Sequence, residues 1–209
     1  MKKKILKVLA LVACAVLLVV GSIAGTLAYM TSLTKTVTNT FTVGNVAITL
    51  DESKVTVYGE LDGNSRVMAN TYKLIPGHNY VKDPTIHVAE GSEDCWLFVK
   101  VENGISAIED KTENGNTIAN QMATNWTLID EAKGIYAYKS KAVAGADVVV
   151  FNSFKIDGNA DVSGYVTTTN TAAVVNVTAY AVQADGFDSA AKAWAAAETN
   201  WELPNNNGQ

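Results

Sequence analysis

Few residues in this 209-residue chain could carry chemistry at neutral pH: two histidines, His78 and His87, and two cysteines, Cys14 and Cys95. Neither histidine lies in an H-E-x-x-H helix that would put two imidazoles on one zinc ion. No G-x-S-x-G elbow presents a serine to either of them. His78 follows Pro76-Gly77 and is expected in a turn. His87 alternates with Ile86 and Val88, so its side chain falls on the opposite, solvent-facing side of a strand. Asp157, Asn159 and Asp161 have the oxygen spacing that opens a calcium loop, but Val162 stands where glycine is required and Thr168 where a bidentate carboxylate belongs. That segment reads as a polar turn, and Glu90, Glu93 and Asp94 read as a solvated hairpin. No catalytic residue, metal ligand or cofactor site is assigned. A metallo-endopeptidase using His78 and His87 is the weakest of three readings.

The elements around these residues are mostly strands. Period-two alternation of β-branched and aromatic residues marks segments 46–50, 55–58, 72–75, 80–88, 96–101, 126–129, 135–138, 148–154 and 173–182. Within the last, Val175, Val177, Ala179 and Ala181 share one face. Turn signals separate the segments at Asp62-Gly63-Asn64, Pro76-Gly77, Asn103-Gly104, Asn114-Gly115 and Asp157-Gly158. Two helices are expected. Residues 117–124 form a short surface helix, and Ala-rich residues 189–199 a longer one capped by Asp188 or Ser189. The tail from Pro204 is apolar-poor and expected to fray. The pattern predicts an all-β, antiparallel sandwich spanning residues 44–187, with a C-terminal helix and tail over 188–209.

The N-terminus has a different logic. Lys2, Lys3, Lys4 and Lys7 precede an unbroken apolar run over 8–20, followed by small residues to Ala28, the order of a secretory signal peptide. Residues 1–29 are read as that signal, with cleavage around Ala28, Tyr29 and Met30. An uncleaved anchor and a lipid-modified Cys14 are the alternatives; the apolar run after Cys14 is a poor tether. Leu203-Pro204 lacks the Thr-Gly pair of a wall-anchoring site. Cleavage removes four lysines, so the net charge moves from −5 to −9, with 12 basic against 21 acidic residues. Such a chain repels phosphate backbones, and no nucleic-acid partner is expected. The membrane is a partner only before cleavage. Cys95 alone remains, which forbids an internal disulfide and predicts a buried thiol.

Residues 30–43 are the most informative segment. Threonines at 34, 36, 38, 40 and 42 alternate with Leu33, Val37, Phe41 and Val43 among the intervening positions. Either this is the first strand of its own sandwich, or a strand that leaves its domain and joins a neighbour's sheet.

Two stretches, residues 25–32 and 37–46 (VTNTFTVGNV), resemble the N-terminus of the TasA/camelysin family. Leu74-Ile75-Pro76-Gly77 is similar to that family's turn, with His78 replacing an acidic residue, and segments 95–101 and 179–187 look like its core strands. The resemblance implies a jelly-roll fold, a dedicated ER-type signal peptidase, and a secreted matrix subunit that polymerises into biofilm fibres. Residues 30–43 then match the donated strand, with Leu33, Val37, Phe41 and Val43 as its filling side chains. Self is the main partner, and an accessory assembly protein a further candidate. The other reading, from a different class, is a monomeric surface adhesin.

Overall fold

Alternation of apolar and polar residues governs most of the backbone from Ile48 onward. The computed structural model describes residues 45–112, 117–165 and 173–197. The chain divides into two units, Met1–Val43 and Gly44–Gln209, and all described residues belong to the second. Its strands are β1 (Ile48–Val55), β2 (Leu61–Val67), β3 (Asn79–Val81), β4 (Thr85–Val88), β5 (Cys95–Asn103), β6 (Trp126–Asp130), β7 (Ile135–Tyr138), β8 (Asp147–Val149), β9 (Ser153–Lys155) and β10 (Val175–Gln183). Helix α1 (Ile118–Met122) lies between β5 and β6, and α2 (Ala190–Ala197) follows β10. One sheet has the order β2-β1-β4-β8, the second β10-β5-β7-β6, and β3 with β9 form a ribbon. All pairings are antiparallel, so the expected all-β antiparallel class with a short C-terminal helix is what the chain adopts.

Strand β5 explains how the layers are held. Because successive side chains point to opposite faces, Cys95, Leu97 and Val99 enter the main core beside Ile86 and Val88 of β4 and Val148 of β8. Trp96 and Phe98 point the other way and are covered by Ala193 and Trp194 of α2, with Ala137 and Ala184. Residues 95–99 are therefore buried on both sides, which their continuous apolar run already demands. Ser189 caps α2 by accepting from the Lys192 N–H at 3.4 Å, and Lys192 pairs with Asp188. The short helix α1 is capped by Thr117, whose side chain accepts from Asn120 N–H. It is not a surface element, since Ile118 and Met122 both enter the main core.

Several strand expectations need correction. Segment 55–58 alternates, but only Val55 is in a strand. Thr56 Oγ1 accepts the N–H groups of Tyr58 and Glu60, and Gly59 turns with φ 75°, where an added Cβ would lie 2.7 Å from the Tyr80 ring. Residues 72–75 form no strand, because Tyr80 Oη serves their backbone, donating to Lys73 O and accepting from Ile75 N–H. Asp62-Gly63-Asn64 lies inside β2 rather than between strands. Gly63 does take positive φ, but it marks the irregularity where Ser53 pairs with Arg66 and Val55 with Leu61. Segment 80–88 splits into β3 and β4 around Pro84, which has no N–H for a ladder. Segment 148–154 splits at Val150 and Phe151, consecutive residues that are both buried and so break the alternation.

Truncating Phe98 should expose the consequence of two-sided burial. Phe98→Ala is expected to lower the unfolding free energy by about 3–5 kcal/mol, read from urea denaturation. An unchanged midpoint would contradict the packing of α2 on β5.

Candidate functional site

The feature with clearest functional potential is an incompletely paired rim. In β1, residues Ile48 to Asp51 pair with β4, whereas Glu52 to Val55 pair with β2 on the other side. The β2-side edge of the first half of β1 therefore has no strand partner among the described residues. Strand β10 pairs with β5 along all nine of its residues and has no second strand partner among the described residues. These two rims approach each other across the sandwich. Their core-facing side chains, Val46, Ile48 and Leu50 on one rim and Val175, Val177, Ala179 and Ala181 on the other, are only partly buried against the main core. The result is an apolar seam bordered by backbone groups. Unpaired rims of this kind are templates for another strand. The sequence reading assigned no acceptor residue. The signal was the shared face of 175, 177, 179 and 181, whose edge position only the pairing reveals.

The residues expected to fill such a seam, Leu33, Val37, Phe41 and Val43, lie outside the described residues, as do the cleavage positions Ala28, Tyr29 and Met30, and Cys14. Cys95 is fully buried, and burial, with Asp94 adding, pushes its thiol up to about 11. It is therefore protonated and unreactive at neutral pH. Asp157 and Asp161 make short local turns, accepting from Asn159 N–H and Ser163 N–H.

The two histidines sit in unlike places. His78 Nε2 is 2.8 Å from Tyr58 O, and its ring meets Tyr80 edge-on. His87 lies on the outer face of β4, in a polar ladder. Its Nε2 is 2.8 Å from Asp51 Oδ1 and its Nδ1 2.6 Å from Asp147 Oδ1. Arg66 bridges Asp51 and Asp83, and Asp83 also accepts from the N–H and hydroxyl of Ser53. Among the described residues, no group of three His, Cys, Asp or Glu side chains is placed to hold a metal ion. The Asp51 hydrogen bond raises the imidazole above its ordinary value, against an opposing burial effect and with help from Asp147. Burial alone would raise Asp51, but hydrogen bonds from Arg66 and His87 prevail and hold it below the usual carboxylate range.

A protonated His87 donating to both carboxylates ties β1, β4 and β8 together. Its raised folded pKa gives a contribution that is complete below the unfolded value, about 6.5, and is lost as pH rises through the folded value. His87→Ala is thus expected to lower the melting temperature more at about pH 5.5 than at about pH 9. Equal losses at both would contradict the charged bridge. No protein family matches this chain, and no curated protein or solved structure matches it either.

Proposed function

We propose that the chain is the precursor of a secreted structural subunit that polymerises by strand donation. Residues 1–29 act as the signal peptide, and the freed segment 30–43 adds to the seam between β1 and β10 of a neighbouring copy. The single observation that carries the reading is β10, a nine-residue strand that among the described residues is paired on one side, and that is only partly covered on its core face. The two four-stranded sheets fit the jelly-roll arrangement that the TasA/camelysin resemblance implies. A head-to-tail contact of this type does not close, and so gives a fibre. A dedicated signal peptidase would gate assembly, because the segment is tethered to the membrane until cleavage. The product would reside at the cell surface or in an extracellular matrix.

Magnitudes locate the affinity. Net main-chain hydrogen bonds of about 0.5–1.5 kcal/mol do no more than offset an ordering cost of about 1–2 kcal/mol per residue. The surplus must come from Leu33, Val37, Phe41 and Val43, which share one face and contribute on the order of 1.5–3 kcal/mol each when buried. Those four side chains also fix register, since a one-residue slip turns them to the other face.

A ligand-binding surface module is the second reading. It draws on a cleft of about 550 Å³ lined by Lys100, Glu102, Glu131, Lys133, Tyr180 and Trp194, which combines aromatic and charged groups suited to a glycan.

Electron microscopy of the mature protein, residues 30–209, is expected to show fibres. The same protein lacking residues 30–43 should give none, and excess synthetic 30–43 peptide should cap growth. Fibres that survive the deletion would overturn strand donation.

A further inference from the structure

A carboxylate faces inward where the alternation of β1 calls for an apolar side chain. Ile48 and Leu50 point to the core, and the next residue on that face is Glu52, 5% exposed. Its Oε2 accepts from Lys82 Nζ at 2.6 Å, and Lys82 is 9% exposed. Its Oε1 accepts from Asn70 Nδ2 at 2.9 Å. One buried carboxylate thus holds an amine and a carboxamide together. The carbonyl oxygen of that amide, Asn70 Oδ1, accepts from the Val55 N–H at 3.0 Å. Tyr72 closes the site, with Lys82 Nζ 5.8 Å from its ring centroid and its hydroxyl donating to Val81 O. Burial, then the nearby Glu52 and Asp83, push the Tyr72 phenol well above its ordinary value, so it remains neutral and brings no competing anion.

A buried ion pair is a poor device for stability alone, because desolvating both charges offsets most of their attraction and apolar residues of like volume serve as well. The arrangement is, however, that of a nucleophile, a proton carrier and a polarised acyl group. We propose that Lys82 and Asn70 join in an intramolecular isopeptide bond, with Glu52 as the catalytic proton carrier. Lys82 gives a proton to Glu52, and the free amine swings from Oε2 to attack Asn70 Cγ. The Nζ–Cγ bond forms as the carbonyl electron pair moves onto Oδ1, where the Val55 N–H already stands to stabilise the developing charge. The Glu52 carboxyl turns about its terminal bond, so that the proton received at Oε2 reaches Nδ2, and it then takes another from Nζ. The carbonyl re-forms, the Cγ–Nδ2 bond breaks, and ammonia leaves. Atoms and charge balance with no oxidant or second reactant: an ammonium, a carboxylate and a carboxamide become a secondary amide, a carboxylic acid and ammonia.

The product would tie the segment after β2 to the connection between β3 and β4, closing a covalent loop that unfolding cannot open. This inference does not depend on the fibre reading, and applies equally to a monomer.

Tryptic peptide mapping of the folded full-length chain tests it. Trypsin cuts after Arg66 and Lys73 but not after an acylated Lys82. The expected product is therefore a branched species joining residues 67–73 to residues 74–100, lighter by one ammonia than its two parts. Glu52→Gln and Lys82→Arg should each return linear peptides. Linear 67–73 and 74–82 from the wild-type chain, with a folded circular dichroism spectrum, would overturn the proposal. So would ammonia loss confined to peptide 67–73, which would mark a succinimide at Asn70. The wild-type map decides the matter even if either variant fails to fold.

Discussion

The pairing of β5 with β10 is the constraint on which the rest of the structure rests. Their ladder runs from Cys95 opposite Gln183 to Asn103 opposite Val175 without a shift. Because β5 is buried on both faces, a slip of one residue would drive Trp96 and Phe98 into the space of Leu97 and Val99, so the register is strongly fixed. That fixed register decides which residues of β10 face the main core and which lie under α2. It also leaves the far edge of β10 as the rim of its sheet among the described residues. Covering both faces of β5 and leaving one side of β10 without a strand partner among the described residues are two results of a single alignment.

The opposite sheet balances charge differently on its two faces. Outside, Asp51, Arg66, Asp83 and His87 form a hydrogen-bonded ladder across β1, β2 and β4. Partial exposure limits what each pair contributes. Inside, Glu52 and Lys82 are nearly dry, and every charge there must be matched or neutralised. Asn70 belongs to this inner group and also spans the irregular stretch of β1, donating to Ser53 O and accepting from Val55 N–H. Its side chain supplies the ladder contacts that β2 misses where its chain bulges.

Much of the fold could be read from the residues because alternation is a local signal. The runs at 96–101, 135–138 and 173–182 became β5, β7 and β10, and the Ala-rich segment became α2. Two of the failures share one cause, side chains that replace backbone partners. Tyr80 Oη holds residues 73–75 out of a ladder, and Thr56 Oγ1 closes a turn through an alternating stretch. Strand β2 was missed because an exposed edge carries no apolar stripe, and LDGNSRV has turn composition. The acceptor seam and the Glu52 cluster depend on contacts between residues far apart in sequence. The alternating segment 46–50 stops short of Glu52, and Asn70 and Lys82 gave no local sign of converging on it.

The central claim, that β10 awaits a strand from another molecule, is tested most directly by hydrogen exchange at its amides. Mature protein should show low protection along the outer rim of residues 175–183 at high dilution, and strong protection after assembly at high concentration. Full protection at every concentration would mean that the rim is already occupied within a single molecule, and would contradict the account.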